Sequence, residues 1–314
     1  MLAFLLRRFL GALLSVFLAA LLVFSALLLV PGDPAQAILG INASPQSLAT
    51  LRDQLGLNEP PVTRFFGWLT GVLRGDFGES LNYRQSVGSL LLARLKVSIP
   101  LALGAMLLAA VIALPLGIVA ALRRGTWFDL SISVISQLGA AIPSFWLGLI
   151  FILFFSVELG WLPSGGYVPP ERSLLGTLRS LTLPIIALGL GQAAVLTRMT
   201  RAAMLETLSL DYIRTARAKG LPTRRVLTKH ALRNALVTLI TVIGLSLSQL
   251  LVGAIVIEQV FSLPGLGQLV LTAISTRDFP LLQGEILLYA SAIVLLSFLV
   301  DVSYGLLDPR IRYG

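Results

Sequence analysis

Five stretches of this chain, Phe9 to Val30, Val97 to Leu122, Leu130 to Val157, Leu181 to Thr197 and Asn234 to Ile257, carry few or no charged side chains over a length close to that of a bilayer crossing. A spanning helix takes about 20 predominantly apolar residues. No water reaches the hydrocarbon, so backbone N–H and C=O groups must be satisfied within the helix itself. A sixth stretch, Ile286 to Leu307, is interrupted only by Asp301. Charged residues make up 12% of the 314 positions and hydrophobic ones 56%, where an average soluble domain is roughly 25% charged. The expected fold is an all-α membrane protein with six transmembrane helices, residues 1–314 forming a single transmembrane domain.

Arg7 and Arg8 ahead of the first apolar run resemble the start of a cleavable signal peptide. That run is longer than the roughly 7 to 15 apolar residues of a signal peptide, so a retained first span is expected. Basic residues then alternate between connections. Arg7 and Arg8, Arg123 and Arg124, a cluster from Arg198 to Arg233, and Arg310 and Arg312 fall on one side, which the positive-inside rule assigns to the cytoplasm. Both termini are therefore expected on the cytoplasmic side of the membrane. The long segment 31–98 on the other side mixes basic residues with Asp53, Glu59, Asp76 and Glu79, and long loops translocate largely regardless of charge. The net charge of +9 is thus explained by inside-facing charge, and no nucleic-acid partner is expected. The absence of cysteine excludes disulfides, thiolate metal sites and cysteine nucleophiles.

Within segment 31–98, Pro31-Gly32-Asp33-Pro34 marks the exit from the first span. Ser44-Pro45 opens one expected short helix that ends by Gly56, and Val62 to Leu73 forms a second, aromatic-rich one. Pro and Gly recur inside the spans, at Pro100, Pro115, Pro143, Gly148, Pro184, Gly189 and Gly191, where they mark kinks or close backbone approach.

The segment 200–233 is the most specific. Asp211 is placed to cap a helix running to Lys219. Gly220 then supplies a left-handed C′ residue, Leu221 the apolar position after it, and Pro222 blocks resumption. Thr223 is placed to cap a second helix leading into the fifth span. Tyr212, Ile213 and Ala216 give the first helix a small apolar face suited to a groove in a partner, with Arg214, Thr215 and Arg217 beside it.

The run from Arg201 to Leu236, including Asp211-Tyr212-Ile213-Arg214-Thr215-Ala216-Arg217-Ala218-Lys219-Gly220-Leu221, resembles the coupling loop of ATP-binding-cassette importer permeases of the dipeptide/oligopeptide/nickel subfamily. Pro31-Gly32-Asp33-Pro34, Leu55-Gly56-Leu57, Arg74-Gly75-Asp76-Phe77-Gly78, Pro264-Gly265-Leu266-Gly267, Arg277-Asp278-Phe279-Pro280 and Asp308-Pro309-Arg310-Ile311-Arg312-Tyr313 agree with it. In the wider pattern Glu-Ala-Ala, three residues, then Gly, the first two positions here are Arg214 and Thr215, a substitution similar to the peptide-permease variant.

The resemblance implies a type I importer permease fold and a translocation pathway shared with a homologous second permease. It also implies two cytoplasmic ATPase subunits that carry ATP and Mg, and an external binding protein that delivers di- or oligopeptides. No cofactor is expected on this chain, which lacks a phosphate-binding Gly-x-x-x-x-Gly-Lys-Ser/Thr loop. Nickel-chelate or glutathione cargo is the alternative within the family. An ion-coupled secondary transporter is the alternative outside it, and would want an acid at the centre of a span. An intramembrane hydrolase would need a constellation that the single His230 and the acids near span ends, Glu158, Glu258, Glu285 and Asp301, do not suggest. Candidate pathway-lining residues are Gln137, Gln192, Ser246 and Gln249.

Overall fold

The computed structural model describes residues 2–29, 34–39, 43–54 and 56–307. These are helical almost throughout, and the only β pairing among them is an isolated bridge between Glu79 and Ser86. In chain order the helices are α1 (Leu2–Leu29), α2 (Pro34–Leu39), α3 (Pro45–Gln54), α4 (Pro61–Leu73), α5 (Val87–Leu122), α6 (Trp127–Ala141) and α7 (Ser144–Phe151), which runs on as a π-helical stretch, Ile152–Glu158. There follow α8 (Leu174–Ser209), α9 (Asp211–Ala218), α10 (Thr223–Arg225) with a π-helical continuation Val226–Ala231, α11 (Leu232–Val260), α12 (Leu266–Ser275) and α13 (Phe279–Leu307).

Among the described residues, five helices are long and apolar enough to cross a membrane: α1, α5, α8, α11 and α13. The third expected span, Leu130 to Val157, is not one rod. It divides into α6 and the α7 segment, bent by 91°. Pro143 has no N–H to give the preceding turn, and the residue before a proline is pushed out of the helical region; Ile142 is extended, with φ −81° and ψ 124°. By contrast, α5 runs through Pro100 and Pro115, and α8 through Pro184, without a break. Both are 36 residues long, about 54 Å at 1.5 Å per residue, against a hydrocarbon layer of roughly 30 Å. They extend well beyond the Val97–Leu122 and Leu181–Thr197 windows that apolar content marked out.

Contacts divide the chain into two compact units. One comprises Met1–Leu6, Ser98–Pro264 and Leu296–Gly314. Here α8 is the central rod, packing against α6, α7 and α11. Small residues permit the close approaches: a Cβ on Gly117 of α5 would lie 2.5 Å from the Thr200 side chain and 2.8 Å from the Thr197 carbonyl. A Cβ on Gly189 of α8 would lie 2.9 Å from the Ala105 carbonyl. Glu258, fully buried near the end of α11, accepts a 2.6 Å hydrogen bond from Ser98 Oγ.

The other unit comprises Arg7–Val97 and Gly265–Leu295. Apolar clusters among its described residues are Val87, Leu90 and Leu91 with Leu266, Leu269, Ala273 and Leu281, and Ala20, Phe24, Phe65 and Leu287. The expected short helices are α3 and α4, and Gly56 beyond α3 has φ +63°. Phe65 of α4 is buried edge-on against Phe24, with ring centroids 5.4 Å apart. Asp278, fully buried, starts α13: one carboxylate oxygen accepts the Leu281 N–H (3.2 Å), and the other accepts from Ser80 Oγ (2.5 Å) and the Asn82 N–H (3.0 Å). A buried carboxylate is tolerated because donors surround it. The turn Pro31-Gly32-Asp33-Pro34 and the ending Asp308 to Tyr313 lie wholly or largely outside the described residues.

Candidate functional site

The basic segment after α8 folds as two short helices meeting at a Gly-Leu-Pro corner. α8 stops at Ser209, and Leu210 turns extended (φ −71°, ψ 145°), its carbonyl accepting from Ile213 N at 3.0 Å. Leu210 therefore occupies the N-cap position, and Asp211 does not cap the helix as its residue type suggested. It sits at the first helical position with its carboxylate 3.3 Å from Arg214 Nη1. Both groups are largely exposed, so the pair contributes little, but an acid in the first turn still suits the helix dipole.

The stop is as expected. Gly220 has φ +74°, the left-handed region that glycine enters without a Cβ penalty. Its N–H donates to the Arg217 carbonyl at 2.9 Å, and the Leu221 N–H donates to the Ala216 carbonyl at 3.4 Å. These paired bonds define a Schellman motif, which satisfies the carbonyls a helix end leaves open. Pro222 (φ −61°, ψ 141°) then takes the N-cap position that the sequence suggested for Thr223. Its carbonyl receives Arg225 N at 2.8 Å and Val226 N at 3.1 Å, so the Thr223 hydroxyl has no capping role.

Which face of α9 points outward differs from the sequence expectation. Ile213 and Ala216 are buried within the protein, in a cluster with Ala121, Ala203, Met204, Val226, Ala231, Ala235 and Leu239. They fix α9 to its own chain and are not available to a partner's groove. Tyr212 is on the margin: its hydroxyl accepts from Asn234 Nδ2 at 2.6 Å and donates to the His230 carbonyl at 3.4 Å. The exposed face carries Asp211, Arg214, Thr215, Arg217, Ala218 and Lys219. Arg224, Arg225, Lys229 and Arg233 are exposed close by in sequence. The face is cationic, with one acid at its leading edge.

A second feature had no clear signal in the sequence. Arg201 of α8 grips Asp129 in the first turn of α6 through Nε to Oδ1 (2.5 Å) and Nη2 to Oδ2 (2.8 Å), and Asp129 Oδ2 also accepts the Gly125 N–H at 3.0 Å. A lone acid beginning an apolar run was the only hint.

The four pathway candidates separate into two pairs. Gln192, at the middle of α8, is buried, and its Nε2 has no hydrogen-bond acceptor among the described residues. Ser246 of α11 is also buried, whereas Gln137 of α6 and Gln249 of α11 are exposed. Amide side chains exposed within apolar spans are costly against lipid, so Gln137 and Gln249 mark faces suited to a polar neighbour.

Residues 113–313 match the family described as binding-protein-dependent transport system inner membrane component, and residues 1–102 match the N-terminal part of such membrane components. The di/tripeptide transport system permease protein DppB of Pseudomonas aeruginosa (strain UCBPP-PA14) is 42% identical over 335 residues, covering 100% of this chain and 99% of its own length. The glutathione transport system permease protein GsiC of Escherichia coli (strain K12) is 39% identical over 313 residues, with 100% of both chains covered. Among solved structures, a chain of the MetNI methionine ABC transporter aligns with a TM-score of 0.59 at 22% identity, over 70% of this chain and 96% of that one, a likeness of fold.

Proposed function

From the premise that this chain belongs to the binding-protein-dependent transport system inner membrane components, we propose that it is the permease subunit of an ATP-driven importer of di- and oligopeptides. The observation that carries this reading is similarity along the whole chain to a di/tripeptide permease. In such an assembly the chain would pair with a homologous permease, bind two ATPase subunits that carry ATP and Mg, and receive cargo from an external binding protein. Both termini and α9 face the cytoplasm, as the distribution of Arg and Lys supports.

In this reading, α9 is the element that the ATPases grip. Asp211, Tyr212, Arg214, Thr215, Arg217 and Lys219 form or border the contact face. Ala216 and Gly220 act indirectly, the first by seating the helix on its own chain and the second by ending it. An ATPase surface with acidic groups complements the exposed cations. Gln137 and Gln249 meet the second permease or the cargo, and Gln192 offers a buried amide donor midway along α8. Carbonyl and carboxylate groups of a peptide are suitable acceptors for such amides.

Glutathione is itself a modified tripeptide, and the likeness to a glutathione permease makes it the second cargo to test. The test is uptake into vesicles holding the complete transporter, with labelled dipeptide and an excess of unlabelled glutathione as competitor. ATP-dependent dipeptide accumulation that glutathione leaves unchanged is expected. Accumulation driven by a proton or sodium gradient without ATP would overturn the importer reading.

A further inference from the structure

At the C-terminal end of α1, the unit that holds α3 and α4 contains a cavity of about 840 Å³. We propose that it receives the phosphate group of a membrane phospholipid, the acyl chains lying along α1. The outer leaflet is specified by the orientation proposed above; the binding itself is independent of that orientation.

The walls combine two chemistries. Phe24 and Leu27 of α1 supply an apolar side, while Arg52, Glu59 and Arg64 supply charge. Arg64 lies with its guanidinium carbon 6.0 Å from the centre of the Phe24 ring. Among the described residues its guanidinium makes no hydrogen bond or ion pair, so five N–H donors in a planar fork are available to phosphate oxygens. Next to it in the lining is Trp68, whose Nε1–H is shut off from solvent and has no acceptor among the described residues. A buried donor left unsatisfied costs about 1–3 kcal/mol, a deficit that a turn of the Trp68 indole toward an entering oxygen would remove.

The surroundings favour a lipid over a soluble anion. α1 exposes Leu10, Leu13, Leu14, Phe17, Leu18, Leu21 and Leu22, a face suited to acyl chains. The apolar exposure continues to the cavity, where Leu28 is 44% exposed, and to Leu29 beside it, 83% exposed. A headgroup seated between Arg64 and Trp68 can thus lead its chains directly down α1. Glu59, the one acid in the lining, suits a headgroup that pairs phosphate with an ammonium, as phosphatidylethanolamine does.

Native mass spectrometry of the complete transporter in detergent, titrated with phosphatidylethanolamine, tests this. One tightly held lipid is expected at this site. Arg64→Gln should weaken its retention about tenfold, and Trp68→Phe, which keeps an aromatic ring but removes the donor, should weaken it less. Glu59→Gln should shift preference toward phosphatidylglycerol. Glycerophosphoethanolamine and inorganic phosphate at matching concentrations should not displace the lipid. Displacement by either would reassign the site to a soluble phosphate compound and overturn the lipid assignment. Wild-type retention in both Arg64→Gln and Trp68→Phe would show that the cavity holds no phosphate. Cysteine labelling of the two faces of the membrane tests the orientation separately.

Discussion

Asp129 and Arg201, 72 positions apart, meet in a two-pronged ion pair that fastens the first turn of α6 to α8. The Asp129 side chain is 8% exposed and that of Arg201 30%, so removing one partner strands a charge in partly dry surroundings. Asp129→Asn should lower stability by about 1–3 kcal/mol, less than for a fully enclosed pair. Arg201→Lys, with Asp129 intact, should keep only part of the pair's contribution, since an ammonium lacks the planar fork. Thermal melting of the purified protein checks both, and unchanged melting of Asp129→Asn would remove the structural importance given to the pair.

The two faces of α9 should respond differently to added negative charge. Ala216→Glu places a carboxylate in an apolar cluster and should loosen the 200–233 segment by more than about 2 kcal/mol, read as faster trypsin cleavage there. Arg217→Glu alters only the exposed face. It should leave the other cleavage sites as resistant as before while reducing retention of the ATPase subunits on purification. The opposite pattern would mean that α9 presents its Ala216 side to the partner.

Gly220 offers a cleaner test of the helix stop. A Cβ there would meet nothing within 4 Å, so the penalty of substitution comes from the positive φ alone. Gly220→Val should cost about 1–2 kcal/mol locally and lower ATP-driven uptake, while Gly220→Asn should be milder because asparagine tolerates the left-handed region. Equal uptake by the valine variant and the native protein would show that the direction of the chain after α9 does not matter.

Orientation can be read in this naturally cysteine-free chain. A cysteine placed at Ser47 should react with an impermeant maleimide added outside intact cells, and one at Thr223 only after the membrane is opened. Reversed labelling would invert the topology and place α9 away from cytoplasmic ATPases.

Much of the fold was legible because the bilayer imposes a length and a composition that the apolar runs must meet. The Gly220-Leu221-Pro222 stop was legible for a local reason: three adjacent residues each restrict the backbone in a compatible way. The orientation of α9 was not. Helical spacing puts Tyr212, Ile213 and Ala216 near one another, but only the packing of Met204, Val226 and Leu239 determines that Ile213 and Ala216 turn inward. The cap assignments at Asp211 and Thr223 each erred by one position, because Leu210 and Pro222 adopt the extended geometry that a cap needs. Pro143 drew notice as a possible kink, yet the 91° bend depends on how the two halves pack. The Asp129–Arg201 pair lies beyond any local pattern.

The length of α8 has a mechanical consequence. Between Gln192 and Ser209 it contains neither proline nor glycine, and over those 17 intervals it is about 25 Å long. If that segment pivots as a rod about Gln192, a tilt of about 10° sweeps its Ser209 end through about 4 Å. α9 begins two residues beyond that end, joined by the short extended link at Leu210. A modest displacement imposed on α9 is therefore carried along a stiff arm and arrives at the buried amide of Gln192 as a change of angle.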